Sequence, residues 1–278
     1  FARAPLPRAV PAPYLLTTDV FERAELVSWP RHSHEEHELL WSERGVVTAR
    51  AGGRVWTLYP GVGIWIPRRI AHEARSEAGV RVGTTLFAPE GWTPDWAGVT
   101  PVRVNLAVQR LLVHLARTGM EHGDRLRAQR VCISLLEPIP TGGISAPIPQ
   151  DPRIAPIVAA VLGDRADGRS LEDWALALHL SPRTVTRAFS AEVGMGFAQW
   201  RRLVRMSEAR GLLAAGVSVT EVGRRVGFGT TSAFVAAFRR ETGRTPGAAA
   251  GDAAPERARE RLSPEWDTGR PRRDGGAL

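Results

Sequence analysis

The sequence predicts an α+β protein of two domains, a small β-barrel followed by helices and then an all-helical domain. Three observations support this fold class. Short strand-like runs fill residues 14 to about 100, a helical rhythm begins near Val104, and a Pro/Gly-rich segment separates it from a second helical region. With 278 residues, the chain is long enough to form two hydrophobic cores.

The N-terminal half contains brief runs of Val, Ile, Trp and Thr. The clearest runs are VVTARA (46–51), RVWTL (54–58) and VGIWIP (62–67). Gly-Gly and Pro-Gly pairs separate them and favour tight turns, a spacing that is typical of a small barrel or sandwich. After the strands, apolar residues at helical spacing predict two helices, which could pack on the barrel or against a second subunit.

Composition predicts the domain boundaries. The segment PIPTGGISAPIPQ, residues 138–150, is rich in Pro and Gly and is predicted to be a linker between a first domain at 14–137 and a second at 151–247. We therefore expect residues 150–250 to fold alone. The remainder, 248–278, is rich in Pro and charge with little to bury, so it is predicted to be disordered.

Charge and cysteine content restrict the class of protein. The net charge is +8 and every basic residue is Arg. A GC-rich genome explains that bias, so the charge permits an acidic partner such as DNA without proving one. The one cysteine, Cys132, excludes an internal disulfide and fits a reducing cytoplasm. No apolar run approaches the roughly 18 residues that span a bilayer, so no membrane partner is expected.

The second domain begins with a pair of short predicted helices. Ser170 and Asp173 form a capping-box pattern before LEDWALAL, and His179 with Leu180 forms a turn. Ser181 and a proline then start PRTVTRAFSAEV, which ends at a glycine. Two short helices joined by a tight turn, with Arg and Thr facing outward, indicate a helix-turn-helix.

The same unit recurs about fifty residues later. Ser218 starts a second short helix, and TSAFVAAFRRET ends at Gly243. A helix from Phe197 to Ala215 joins the two units and should span roughly 30 Å. That length is close to the roughly 34 Å of one turn of B-DNA, so both second helices could enter successive major grooves. The apolar faces predict a core that contains Phe189, Trp200, Phe234 and Phe238.

Residues 151–247 resemble the DNA-binding domain of the AraC family of bacterial transcription regulators. The resemblance rests on SPRTVTRAFSAEVGMGFAQWRRLVRMSEARGLL and SVTEVGRRVGFGTTSAFVAAFRRETGRTPG, and its closing pattern F-x-x-x-F-x-x-x-x-G-x-T-P-G (234–247) is specific. It implies a sequence-specific regulator that binds a double-stranded DNA operator through two recognition helices. The predicted DNA-binding residues on those helices are Arg183, Thr184, Thr186, Arg187, Thr231, Ser232, Val235 and Arg239.

Three positions depart from the family pattern. The second recognition helix has Val235 and Ala236 where family members often present a long polar or basic side chain. Small apolar groups there could contact thymine methyl groups or contribute no readout. Gly211, inside the long joining helix, should cost about 1 kcal/mol relative to alanine.

The stretch WPRHSHEEHELLW (29–41) places three of the seven histidines within six residues. With a later segment, it resembles the two motifs of the cupin superfamily. The matching residues are His32, His34, Glu38 and Gly45 in the first motif, and Gly61, Pro67 and His72 in the second. In metal-binding cupins three histidines and one glutamate converge on one ion. The resemblance therefore implies a divalent transition metal (Zn, Mn or Fe) at His32, His34, Glu38 and His72.

The same motifs leave an alternative open. Sensor domains of AraC-type regulators resemble cupins, but they have often lost the ligands and bind small organic effectors in the empty barrel. In that case His32 and His34 would hydrogen-bond an effector or each other. His37 has the opposite parity in a regular strand, so it is expected at the surface.

The sequence allows two roles for three tryptophans of the barrel. Trp41, Trp56 and Trp65 could line the pocket, although packing within the barrel is expected for at least two of them. The second cupin motif also departs from its pattern. Arg69 stands where a glycine is usual and Ser76 where an asparagine is usual, and neither position is a metal ligand.

These features predict a cytoplasmic, ligand-responsive transcription regulator rather than an enzyme. Its expected partners are operator DNA, a small-molecule effector, a second copy in a homodimer and, if it is an activator, RNA polymerase. One alternative is a metal-dependent cupin enzyme that carries a DNA-binding domain, and another is a regulator whose effector is the metal ion. Turnover would need an open coordination position and polar groups that orient a substrate, and the sequence identifies neither.

Overall fold

The computed structural model describes residues 2–3, 9–117 and 119–253, and the strands within them form two six-stranded sheets. Short runs of β-branched and aromatic residues, interrupted by glycine turns, produce these strands. The strands are β1 (Ala2–Arg3), β2 (Leu16–Arg23), β3 (Val27–His32), β4 (His37–Arg44), β5 (Val47–Ala51), β6 (Arg54–Leu58), β7 (Val62–Ile66), β8 (His72–Ser76), β9 (Val80–Phe87), β10 (Thr100–Arg103), β11 (Glu137–Pro138) and β12 (Ser145–Pro147).

The two sheets pack face to face around a barrel core. The first sheet has the order β1-β3-β8-β5-β6-β12, and the second has the order β11-β10-β7-β4-β9-β2. Side chains alternate along β6, so Trp56 and Leu58 fill the core while Val55 and Thr57 face outward. In β8, likewise, His72 and Ala74 are buried and Arg75 is exposed. The first sheet therefore presents one face to the barrel interior and the other to the helical domain.

The helices follow in two groups that match the predicted rhythm. The first pair packs on the second sheet, where Val108 and Leu112 join the cluster around Trp65. The α+β, two-domain fold class is confirmed. The helices are α1 (Leu106–Leu115), α2 (His122–Ser134), α3 (Ala155–Gly163), α4 (Leu171–Ala177), α5 (Pro182–Val193), α6 (Phe197–Ala214), α7 (Val219–Arg225), α8 (Thr231–Thr242) and α9 (Pro246–Ala253).

The two recognition helices begin and end where the sequence predicts. The Ser181 hydroxyl caps α5, and the Thr230 hydroxyl caps α8. Gly194 and Gly243 end these helices at φ values of 71° and 74°, the left-handed conformation that glycine adopts without steric cost. The capping box at Ser170 is also formed. Local capping chemistry therefore fixes both helix-turn-helix units.

Aromatic side chains hold the helical domain together, as predicted. The four predicted core residues Phe189, Trp200, Phe234 and Phe238 are all fully buried. Trp200 packs on Phe189 at a ring-centroid distance of 5.3 Å, and Phe234 packs on Phe238 at 5.7 Å. Each pair belongs to one helix-turn-helix unit, so each unit has its own core joined by α6.

The predicted linker is packed rather than free along part of its length. Within 138–150, β12 pairs with β6, and Ala146 is fully buried. The indole Nε1 of Trp200 donates to the Pro147 carbonyl at 2.8 Å, which ties this strand to the helical domain. Apolar residues between the prolines explain the ordering, because they bury against both domains. Independent folding of residues 150–250 stays a prediction.

The prediction that a disordered tail begins at residue 248 is wrong. Residues 248–253 lie in α9, where Ala249 and Ala250 pack against the core of the second helix-turn-helix unit. Small alanine side chains form a helix readily, and this apolar run is short enough to fit against α6. The rest of the predicted tail, 254–278, lies outside the described residues.

Gly211 lets α6 approach the barrel closely. A Cβ atom on Gly211 would lie 2.6 Å from Thr57 Cγ2 of β6. Nearby, the Ser207 hydroxyl donates to Thr57 Oγ1 at 3.1 Å. The glycine that departs from the family pattern is therefore explained by a close helix–sheet contact.

We expect Gly211→Ala to destabilise this contact. The added methyl meets the stiff side chain of Thr57, and overpacking typically costs about 1–3 kcal/mol, against the about 1 kcal/mol that alanine gains within a helix. Thr57→Ser removes the opposing methyl and keeps the hydroxyl, so the double variant should recover stability. Melting temperatures of the four proteins measure the effect. A Gly211→Ala protein as stable as the unaltered chain would contradict the close packing.

Candidate DNA-reading surface and histidine cluster

The first recognition helix, α5, presents its predicted contacts on one exposed face. Arg183, Thr186 and Arg187 are exposed, and Thr184 is half-buried. The Thr184 hydroxyl lies 2.8 Å from the Ser181 hydroxyl, and Thr186 Oγ1 donates to a backbone carbonyl in its own helix. The two threonines therefore support the helix start, and the two arginines are the longer side chains that remain available to a ligand.

The second recognition helix, α8, carries shorter side chains than α5 on most of its exposed face. Thr231, Ser232 and Arg239 are exposed, whereas Val235 is half-buried. Arg239 lies in the last turn of the helix, where its charge also stabilises the carbonyl end of the helix dipole. The N-terminal part of α8 offers only hydroxyl and small apolar groups on its exposed face, whereas the corresponding part of α5 carries the exposed arginines Arg183 and Arg187.

The four predicted metal ligands come together at one end of the barrel. His32 ends β3, His34 follows in the turn, Glu38 is in β4 and His72 begins β8. The ligand atoms of all four side chains lie within 4.8 Å of one another. Glu38 Oε2 is 3.3 Å from His34 Nε2 and 2.9 Å from His72 Nε2. The sequence prediction that these residues form one cluster is confirmed.

Backbone carbonyls fix the tautomer of all three imidazoles. The Nδ1 atoms of His32, His34 and His72 lie 2.7 to 2.9 Å from the carbonyl oxygens of Pro30, Glu36 and Ile70. A carbonyl oxygen can only accept, so each Nδ1 carries a proton and donates it. A neutral ring then directs its unprotonated Nε2 into the cluster. Metal-binding histidines are oriented in the same way by a hydrogen bond from their second nitrogen.

The charges inside the cluster are unbalanced. Burial would raise the pKa of Glu38, but the imidazoles of His34 and His72 beside its Oε2 outweigh burial and lower this pKa to about 2. Burial lowers the pKa of His32. Burial also lowers that of His34, but the hydrogen bond and charge of Glu38, together with the contacts to Glu36, outweigh it and raise the pKa of His34. His72 Nε2 is buried and lacks a well-formed hydrogen bond within the described chain. A buried carboxylate among imidazole lone pairs needs a proton or a cation between them.

The space beside the cluster is very small. Its volume is about 10 Å³, and its walls include Trp29, Leu40 and Thr84 together with the cluster. A volume of this size holds about one water molecule or one ion. Trp29 is the aromatic wall, and sequence reasoning missed it although it shares the buried parity of Val27 in β3. Trp41, Trp56 and Trp65 are fully buried packing residues instead.

The prediction that His37 lies at the surface is wrong. His37 is 6% exposed, and its ring stacks on Trp65 at a centroid distance of 5.0 Å. Its Nδ1 accepts from the backbone N–H of Arg68 at 3.3 Å. The parity was correct, but Trp92 and Trp96 cover the outer face of the second sheet with an aromatic cluster. The outward face of β4 therefore does not reach solvent here.

The first departure from the second cupin motif has a clear backbone reason. Arg69 has φ 63°, the left-handed conformation in which the usual glycine has no steric penalty. An ion pair to Glu35 at 2.8 Å holds its exposed side chain across the turn. The turn that leads into His72 therefore keeps the geometry of the motif despite the change of residue.

Comparison with known proteins places both halves in described families. The model of the AraC-like ligand binding domain matches residues 20–136, and that of a helix-turn-helix domain matches residues 174–250. Over 226 residues the chain is 26% identical to the HTH-type transcriptional regulator NimR of Escherichia coli, covering 80% of this chain and 82% of that protein. Over 220 residues it is 32% identical to the regulator RipA of Corynebacterium glutamicum, covering 75% of this chain and 60% of that protein.

A solved structure of ToxT from Vibrio cholerae is 12% identical, covers 85% of this chain and 98% of its own, and has a TM-score of 0.35. Within the described residues, no helix has the length and apolar character needed to cross a membrane.

Proposed function

Because the chain belongs to the AraC family of transcription regulators, with an AraC-like ligand-binding domain before its helix-turn-helix domain, we propose that α5 is its main reader of operator DNA. The single observation that supports this proposal is the exposed pair Arg183 and Arg187 on the outward face of α5. Arginine forms bidentate hydrogen bonds to guanine and to phosphate. On α8, Thr231, Ser232, Val235 and Arg239 would add contacts to a second major groove.

The family is one of regulators, so the enzyme alternative is set aside. The helix-turn-helix domain implies DNA binding, and the sensor domain implies an effector. We further propose that the protein acts in the cytoplasm as a homodimer. Contact with RNA polymerase belongs to the proposal only if the regulator is an activator.

The DNA-reading role is tested by Arg187→Ala. If Arg187 reads a base, affinity for the operator should fall by about 1–3 kcal/mol, with loss of preference at one position. If it contacts a phosphate, binding should weaken for all sequences and the salt slope should decrease by about 0.9. Fluorescence anisotropy with labelled operator and scrambled duplexes at several salt concentrations measures both.

Arg110→Ala is the matched control for this experiment. It removes the same charge from an exposed site on α1 in the sensor domain. Its operator affinity and salt slope should equal those of the unaltered protein. If Arg187→Ala behaves like Arg110→Ala in both measurements, α5 does not read DNA through this residue.

We propose that His32, His34, Glu38 and His72 bind one divalent transition metal, with Zn, Mn or Fe as the candidates. The donor set supports this proposal, since three Nε2 atoms and one ionised carboxylate converge on a space that admits one ion. When bound, the ion would supply the positive charge that the cluster lacks.

Removing the ion with a chelator distinguishes a structural role from a role as the effector. A structural ion should raise the melting temperature, and its removal should lower it. If the metal is itself the effector, its removal should instead change operator affinity in the absence of any organic molecule. That second outcome would favour the metal-sensor alternative.

A further inference from the structure

The barrel leaves no room for an organic effector beside the histidine cluster. The space there is about 10 Å³, whereas pockets for small organic ligands usually have volumes of about 300–1,000 Å³. Four large side chains, Trp56, Leu58, Ile64 and Ile66, are fully buried in the packed interior of the barrel. If the regulator responds to an organic molecule, that molecule needs another site.

A crevice of about 640 Å³ lies between the barrel and the helical domain, where both contribute walls. We call it the interdomain crevice. The barrel contributes Val46 and Arg75, and the helical domain contributes Arg165, Glu208 and Leu212. Its volume falls within the range of small-molecule sites, and it combines apolar walls with a few charged groups.

Arg165 is a buried cation with unused hydrogen-bonding capacity. Its side chain is 7% exposed, although arginine is almost never fully buried unless it is paired. Nη1 donates to the Val161 carbonyl at 2.9 Å, but Nε has no hydrogen-bond partner in the described residues. The nearest carboxylate oxygen, Glu208 Oε2, is 3.8 Å from Nε and is also without a hydrogen bond. Leaving the Nε–H of a buried arginine unsatisfied is costly, so a ligand that accepts this hydrogen bond is favoured.

The other arginines of the crevice differ in their pairing. Arg224 and Arg225 each form ion pairs with Glu221, at 2.7 and 2.8 Å. Arg75, in contrast, donates to the backbone carbonyl of Leu162 and forms no ion pair within the described chain. Arg75 and Arg165 are therefore the two cations of the crevice without a hydrogen-bonded carboxylate.

We propose that the interdomain crevice is the effector site and binds a small organic monocarboxylate, held by Arg75 and Arg165 and packed against Val46 and Leu212. The proposal rests on the function proposed above, a sensor that responds to a small molecule. A carboxylate matches the planar fork of a guanidinium and satisfies its free N–H groups. Glu77, Asp164 and Glu208 also line the crevice, so an anion of higher charge is repelled.

Such a ligand would act on both domains at once. Arg75 extends from the outer face of β8, and Arg165 follows α3 of the helical domain. Binding to both residues changes the free energy of the domain contact, and by linkage DNA binding changes ligand affinity to the same degree. The site therefore lies where a small molecule can influence the position of the DNA reader.

The test uses the full chain and two carboxylates, phenylacetate and hexanoate, with phenylacetamide as the uncharged match of the first. Isothermal titration without DNA should show one site for at least one acid, with the amide at least about tenfold weaker, because hydrogen bonds to charged groups are the stronger ones. Arg165→Gln and Arg75→Gln should each weaken binding of the acid by about tenfold or more. Arg224→Gln, which changes the same charge in the same crevice, should leave it unchanged.

Each contrary result overturns the proposal. Failure of both acids to bind at millimolar concentration, equal binding of acid and amide, or an equal effect of Arg224→Gln would do so. Arg165 is buried, so the exposed Arg75→Gln variant serves if Arg165→Gln does not fold. Operator binding is measured separately on the same proteins. A protein that binds operator but no acid refutes only the crevice, whereas one that binds no DNA refutes the proposed function.

Discussion

Replacing Trp200 with alanine is expected to lower the free energy of unfolding of the helical domain by about 3–5 kcal/mol. The side chain is fully buried and packs on Phe189 and on the interdomain strand β12 through Pro147. Alanine leaves a cavity that this close-packed core cannot refill, because the surrounding rings are held by two helices. It also leaves the Pro147 carbonyl without its donor.

Two further variants separate packing from hydrogen bonding. Trp200→Phe keeps most of the ring volume and loses the 2.8 Å bond to Pro147, so it should cost less than the alanine variant, with about 1 kcal/mol from the bond. Leu176→Ala is the control, since Leu176 is 78% exposed and should change stability by less than about 0.5 kcal/mol. Urea unfolding followed by far-UV circular dichroism measures all three. An effect of Trp200→Ala no larger than that of Leu176→Ala would show that this core is not where the stability lies.

The helical domain was predictable because its signals are local. Serine and threonine caps, a left-handed glycine after each recognition helix and apolar residues at helical spacing all act within one turn of the chain. The apolar faces of the repeated unit also predicted that Phe189, Phe234 and Phe238 are buried. The bounds of α5 and α8 follow directly from Ser181, Gly194, Thr230 and Gly243.

The structure departs from the sequence predictions for His37 and for part of the linker. In both places the burial of a side chain depends on a segment far away in the sequence. Alternation along β4 gave the correct parity for His37, but it could not show that Trp92 and Trp96 cover that face. Proline and glycine content predicted a linker at 138–150, although β12 within it pairs with β6. In each case the tertiary partner lies far away in the sequence, so no local pattern reports it.

The histidine cluster could be predicted from sequence motifs, whereas the interdomain crevice could not. The spacing of the two cupin motifs is sufficient to group His32, His34, Glu38 and His72 as one set of ligands. Arg165 and Arg75 belong to no motif, and they come together only in the folded chain, where both line the crevice and Arg75 donates to the Leu162 carbonyl of α3. Strand β8 joins the two sites, since His72 faces the barrel interior and Arg75, three residues later, faces the helical domain.

His72→Ala is expected to remove most of the metal that the unaltered protein retains. His72 is buried, and its Nε2 lies 2.9 Å from Glu38 Oε2 at the centre of the cluster. Loss of a partner that only orients a ligand usually weakens metal affinity by about 10- to 100-fold, so loss of a ligand should cost more. Glu38→Gln should act similarly, because the amide keeps the shape but removes the negative charge.

The measurement is elemental analysis of protein purified without an affinity tag, before and after dialysis against Zn, Mn or Fe. The unaltered chain should retain about one ion, the number that a tetrahedral or six-coordinate site of four protein ligands holds. His114→Ala is the control, since His114 is exposed on α1 outside the cluster, and its metal content should be unchanged. His37→Ala should also keep its metal, because His37 contacts Trp65 and is not part of the cluster. An unaltered protein that takes up none of the three metals would mean that protons alone balance the charge of Glu38, and that the three histidines form a hydrogen-bonded cluster without an ion.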